Sequence, residues 1–135
     1  MSSTHVRAVV AGETYGLPIE HVTEVAELGE VTPLPGAPSV IMGVRNLRGS
    51  VVPVASLAVL LGLSGDHSPQ RLIVTEDDGR RLALAVEDVT DVTDIDAEPE
   101  PSESPLLHGA VLVDGVLIGL LDIRALMSAA SPRGR

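Results

Sequence analysis

Arg48 stands where a tight turn has no use for an arginine. It lies in Asn46-Leu47-Arg48-Gly49, between two apolar runs, and the Arg-Gly pair reads as the centre of a β-hairpin turn. Such turns favour Asn, Asp and Gly, so an arginine there asks for another cause, either a plain solvated loop position or a group that meets a partner or organises a site. Glu24 is the carboxylate expected to pair with it. An exposed pair of this kind adds only ~0 to 1 kcal/mol to stability, so its use would be orientation. Arg45 and Asn46 flank it. Asn46 is expected to satisfy local backbone groups, whereas Arg45 is balanced between a solvated strand face and a contact residue.

The remaining reactive types offer less. Asp88, Asp91, Asp94 and Asp96, in the acidic stretch over residues 87–103, invite a calcium reading because clustered carboxylate oxygens suit that ion. The stretch lacks the turn glycine and the closing bidentate glutamate of a binding loop, so solvated carboxylates are the better account. His5, His21, His67 and His108 share no short spacing and adjoin no nucleophile. Ser50 and Ser56 sit in no nucleophile elbow, and there is no glycine-rich phosphate loop. With no cysteine, disulfides, thiolate metal sites and thiol catalysis are excluded. All nine basic residues are arginine, which removes Schiff-base and phosphate-loop lysines as well. The expectation is a protein without catalytic residues, metal or cofactor.

The elements that position these residues come in two copies. Residues 43–61 and 109–127 align at a constant offset of 66, with Gly43 on Gly109, Gly49 on Gly115, Pro53 on Gly119 and Ser56 on Asp122. The glycines mark two-residue turns, and Ser56 and Asp122 are oxygen-bearing caps before short apolar helices, the first of which should stop at Gly62. Pro53 and Gly119 predict a bulge or bend. Upstream, strands at residues 6–10 and 14–19, joined at Gly12-Glu13, match strands at 71–75 and 81–86, joined at Asp77-Asp78-Gly79. Val22-Thr23-Glu24-Val25 is echoed by Val89-Thr90-Asp91-Val92 at an offset of 67. Both copies then carry a proline-marked connector, with Pro33, Pro35 and Pro38 in one and Pro99, Pro101 and Pro105 in the other. Residues 62–70 join the copies, and a flexible tail is expected over residues 128–135.

At 135 residues and 44% hydrophobic, the chain suits one domain and is not disordered. Phe and Trp are absent and Tyr15 is the sole aromatic, so packing falls to Val, Leu, Ile and Ala, and the valines favour strands. Two repeats, at about 6–62 and 70–127, each supply four or five short strands and one short helix. The predicted class is mainly β, as two small barrels or curled sheets packed side by side. A net charge of −10 argues against nucleic acid or anionic lipid as partner. No apolar run is long enough to span a membrane, and the expected location is the cytoplasm.

Four blocks together carry a resemblance: YGLPIEHVTEV from Tyr15, PLPGAP from Pro33, GVRNLRGSVVPVASL from Gly43 and LAVEDVTDV from Leu84. From about Val6 to Met127 the chain resembles the CheW family of chemotaxis coupling proteins, most specifically in Asn46-Leu47-Arg48-Gly49 followed by Val52-Pro53-Val54. The resemblance implies a pair of five-stranded SH3-like β-barrels without catalytic activity, linking the cytoplasmic tips of chemoreceptors to the regulatory domain of a CheA-type histidine kinase. In the family the arginine matching Arg48 is implicated in receptor coupling. This sequence has Ser56 where the family usually has Asp, and Glu87 where Asp is frequent. An amphipathic receptor helix laid into an apolar groove would meet Val22 and Val25 with Val86 and Val89. Kinase contacts are expected on a flat surface at a loop-capped barrel end, with Pro35, Val40 and Ile41. Two alternatives stay open: a CheW-like regulatory adaptor of a non-chemotaxis two-component pathway, and a double barrel binding a small ligand or metal.

Overall fold

A computed structural model describes residues 3–65 and 68–131. The ten strands are β1 (Ser3–Val10), β2 (Glu13–Pro18), β3 (Val22–Glu27), β4 (Ile41–Leu47), β5 (Ser50–Ser56), β6 (Arg71–Asp77), β7 (Arg80–Val86), β8 (Asp88–Ile95), β9 (Leu107–Val113) and β10 (Val116–Leu121). Helix α1 (Leu57–Leu60) follows the fifth strand and α2 (Ile123–Ala130) the tenth. Two five-stranded sheets result, in the orders β8-β1-β2-β10-β9 and β3-β6-β7-β5-β4. They form the pair of SH3-like barrels that the sequence predicts, here called barrel I and barrel II.

Each barrel draws on both repeats. Hairpin β1–β2 leaves the first repeat and completes barrel I beside β8 and β10, while β6–β7 completes barrel II between β3 and β5. Exchanging repeat for repeat converts one strand order into the other, so the duplication survives in three dimensions as pseudo-symmetry. The cause is the short link after each hairpin. Only Ile19–His21, a single 3-10 turn, separates β2 from β3, and only Glu87 separates β7 from β8. Neither link has the length to bring the next strand back to its own hairpin's sheet, so the chain crosses to the other one.

Four hairpins turn on two residues with positive φ at both: Ala11-Gly12, Arg48-Gly49, Asp78-Gly79 and Asp114-Gly115. This is the backbone of a type I′ turn, whose twist matches that of the flanking strands. The first turn thus lies one residue earlier than Gly12-Glu13, and Asp77 is the last residue of β6 rather than part of its turn. The residue before each glycine, even Ala11, takes the first left-handed position.

The bulge expected at Pro53 and Gly119 lies elsewhere. Register shifts leave Met42 unpaired between Ile41 and Gly43, and His108 between Leu107 and Gly109, at equivalent places in the two repeats. Pro53 is accommodated because the parallel pairing of β5 to β7 begins only at Val54. Gly119 pairs regularly with Ala110 and Tyr15.

Strands β6 and β7 are buried on both faces. Leu82, Leu84 and Val86 join Ile73 in a central core that also takes Leu17 from β2, Leu57 from α1 and Leu126 from α2. Ala83 and Ala85 face the other way, into barrel II with Val52, Val54, Leu72 and Val74. Barrel I is filled by Ile95, Val111, Ile118 and Leu120. Both helices start on the expected caps, with Ser56 Oγ accepting from the Val59 amide and Asp122 Oδ1 from the Ala125 amide.

The tail expected from Ser128 is corrected. Helix α2 continues to Ala130, whose side chain is buried, because Leu126, Met127 and Ala130 fall at helical spacing on the core side and alanine favours helix. Residues 132–135 lie outside the described residues, as does His67.

Candidate functional site

Barrel II closes where its two edge strands, β3 and β4, approach, and arginines make the seam. Arg45, on β4, donates from Nε to the Leu28 carbonyl at 2.9 Å, from Nη2 to Glu27 O at 3.3 Å and from Nη1 to Asn46 O at 3.1 Å. Its guanidinium lies against Gly29, whose φ is +60°. Arg45 is therefore a clamp that holds the chain leaving β3 against β4, and most of its donors are spent on backbone. One turn further along, Arg48 Nε sits 3.1 Å from Glu24 Oε1, the pair expected from the sequence. At the repeat-equivalent positions barrel I has Val111 in place of Arg45 and Asp114 in place of Arg48.

Arg48 adopts φ +53° and remains 81% exposed, while Glu24 is only 21% exposed. A carboxylate set into the surface thus holds an arginine that projects from it. Asn46 supports the turn from below, its Oδ1 accepting from the Gly49 amide at 3.1 Å, which is the local backbone role read from the sequence. Arg48→Asn is expected to change stability by less than about 1 kcal/mol. The loss of an exposed ion pair, about 0–1 kcal/mol, is set against an Asn-Gly pair that suits this turn better. Thermal unfolding checks this, and the variant then separates folding from any effect on binding.

The valines divide. Val25 is partly exposed on edge strand β3, and Val22 and Val89 are half-buried against the central core. Val86 is withdrawn from the candidate surface: at 1% exposure it is core, because β7 is buried on both sides. Edge strands β3 and β8 carry outward carboxylates, Glu27 on one and Asp88, Asp91 and Asp94 on the other, which discourage edge-to-edge pairing. In β8, Asp88 and Asp91 accept from the Val89 and Val92 amides, and Asp94 accepts from the Thr4 hydroxyl. Among the described residues no group of three or more His, Asp or Glu is placed to hold a metal ion.

The loop-capped end is not flat. Pro35 and Ile41 line a groove of about 420 Å³ with Leu34, Pro53, Leu82 and Met127, whereas Val40 packs against the central core. Its walls come from the proline-marked connector, the start of β4, β5, β7 and α2, segments that no local sequence window brings together. On the outer face of barrel I, Leu112 and Leu117 pair in register and are 67% and 64% exposed.

A polar cleft of about 550 Å³ was not legible in the sequence. His5, His21 and His108 line it together with Glu20, Asp77, Asp122 and Arg124. Arg124 Nε lies 3.1 Å from Asp77 Oδ2, and the carboxylate pushes the arginine's pKa further up. His21 Nδ1 is 3.7 Å from Asp77 Oδ1 and His108 Nδ1 is 3.8 Å from Asp122 Oδ2. Burial pulls His5 below its ordinary pKa of 6.5, against smaller opposing pulls from the Ser3 carbonyl and Glu20 and with a small further push from His108. Between that lowered pKa and 6.5 the unfolded chain binds the proton and the folded chain resists it. The contribution of His5 is therefore fully present above pH 6.5 and is lost as pH falls. The repeat-equivalent residue is Leu72, so His5→Leu is expected to flatten the acid side of the melting-temperature profile between pH 7 and 5 relative to the parent chain.

Two intertwined SH3-like barrels with exposed apolar patches and an arginine held at a turn define a protein-docking module. The CheW-like domain model matches residues 5–131. The chain is 30% identical over 124 residues to the chemotaxis protein CheW of Rhizobium meliloti, across 84% of this chain and 80% of that one. It is also 30% identical over 129 residues to a probable chemotaxis protein CheW of Rhizobium etli, across 88% and 83% of the two chains. The crystal structure of the scaffolding protein TtCheW from Thermoanaerobacter tengcongensis superimposes with a TM-score of 0.86 at 30% identity, covering 100% of this chain and 92% of that one. This chain belongs to the CheW-like family. Among the described residues no helix is long and apolar enough to cross a membrane.

Proposed function

We propose that this protein is a non-enzymatic chemotaxis adaptor that couples the cytoplasmic tips of chemoreceptors to the regulatory domain of a CheA-type histidine kinase. It works in the cytoplasm, recruited to receptor arrays at the inner face of the membrane. The single observation that carries the reading is Arg48, exposed in a left-handed turn position that the other repeat gives to Asp114, and held there by Glu24. Membership of the CheW-like family supports this choice of partners. Arg48 and Glu24, with Val22 and Val25 on β3 and Val89 on β8, are assigned to the receptor-facing side; Asn46 and Arg45 hold the turn and the seam beside Arg48. Pro35 and Ile41 belong to the kinase-facing side.

Pull-down with the CheA-type kinase encoded in the same genome tests the reading. Retention of its regulatory domain at micromolar affinity supports it, and no retention by the folded chain refutes it.

A further inference from the structure

The groove lined by Pro35 and Ile41 has a filled counterpart in the other barrel. Under the repeat relation Leu82 corresponds to Tyr15, Pro53 to Gly119 and Ile41 to Leu107. Around those counterparts the space is occupied: the Tyr15 ring lies so close over Gly119 that a methyl group there would come within 3.0 Å of it, with Leu107 beside them. Tyr15 is buried. One copy of the design therefore completes its packing with an aromatic ring. The other carries a leucine and a proline at the same places and keeps an open groove of about 420 Å³, a size typical of ligand-holding clefts.

We propose that this groove is a docking slot for an acidic segment of a partner protein that inserts an aromatic side chain. The walls suit a ring. Met127 offers a thioether, and Pro35, Pro38 and Pro53 offer rigid apolar faces. The occupant comes from a different protein, because this chain has no Phe or Trp and its only Tyr is already buried in barrel I. The rim sets the sign of the flanking charge. Arg80 and Arg81 both line the groove in a chain whose net charge is −10; Arg81 Nε makes a long ion pair of 4.0 Å to Glu76 Oε1 and no hydrogen bond, whereas Arg80 is exposed and makes no ion pair among the described residues. A partner carboxylate beside the ring pairs with the exposed Arg80.

The inference deepens the kinase-facing assignment of Pro35 and Ile41 and rests on it only for the partner's identity. Its test uses no kinase, so failure of the slot and failure of the adaptor reading are distinguishable. The full chain, labelled at methionine and isoleucine methyls, is titrated with three capped pentapeptides: Asp-Glu-Phe-Asp-Glu, the same peptide with Ala for Phe, and Lys-Lys-Phe-Lys-Lys. The acidic Phe peptide is expected to shift the Ile41 and Met127 methyls saturably, and the Ala peptide at least tenfold more weakly. The basic peptide, which the net charge of the protein attracts, is expected to leave those two methyls unshifted. In the Arg80→Glu/Arg81→Glu chain the affinity for the acidic Phe peptide should fall at least tenfold. Arg80→Glu alone, at an exposed position that any folded variant tolerates, should lower it at least threefold. Equal shifts from the Ala or the basic peptide, no saturable shift at millimolar peptide, or undiminished affinity in both arginine variants overturns the proposal.

Discussion

Replacing Gly43 with alanine should cost the fold about 3 kcal/mol or more and lower the melting temperature by roughly 10 °C. Two independent effects act in the same direction. Gly43 has φ +152°, a conformation side chains rarely adopt, and a Cβ there would fall on the Thr32 carbonyl, nearer than any real Cβ contact. That carbonyl cannot retreat without loss, because Thr32 and Val44 exchange hydrogen bonds of 2.8 and 2.9 Å that pin the proline-marked connector to β4. Gly109 repeats the arrangement with φ +150° and the Glu100 carbonyl 2.5 Å from its added Cβ, beneath the equivalent bridge to Ala110. Gly109→Ala should therefore lose stability on the same scale. Thermal and urea unfolding of both variants decide the point. A change under 1 kcal/mol in either would show that the connectors yield freely and that the repeated glycines have another cause.

Reversing the charge at Arg48 should weaken binding of the receptor tip at least tenfold, with little change at the kinase-facing side, while leaving the chain folded. Stability has little at stake, since the pair with Glu24 is mostly solvated on the arginine side. Binding has more at stake, since an arginine meeting a partner's carboxylate in a desolvated contact is worth about 2 kcal/mol or more. The Glu24→Arg/Arg48→Glu chain separates two ways of reaching that loss. A direct contact needs the cation at position 48 and is not restored by the swap; an orienting pair is restored in part. Binding is measured with the receptor tip and with the kinase regulatory domain, using Arg48→Asn as the variant that keeps the turn. Full affinity of Arg48→Glu for the receptor tip would remove this residue from the docking surface.

The seam of barrel II shows why the Glu24–Arg48 pair was legible while the job of Arg45 was not. Arg48 betrayed itself because the second repeat supplies an internal reference, Asp114, for what the turn alone requires. Glu24 could be paired with it on charge. Arg45 offered no such signal, because its acceptors are the backbone carbonyls of Glu27, Leu28 and Asn46, and every residue carries a carbonyl. The misplaced Val86 has a related cause. Alternation tells which residues share a face of β7 but not which face meets solvent, and in a strand sandwiched between two cores neither does.

Local chemistry was sufficient for the turns to within a residue, the helix caps, the duplication and the mainly β class, because a left-handed turn residue, a capping oxygen or an apolar alternation acts on its own few neighbours. The exchange of hairpins between barrels, the polar cleft with its three histidines and the groove between connector, β7 and α2 depend on which distant segments share a sheet. That pairing is set by the short links at Ile19–His21 and Glu87 acting through the whole topology. Residues such as His21 and Arg124, which share the Asp77 carboxylate, become neighbours only after both barrels have closed.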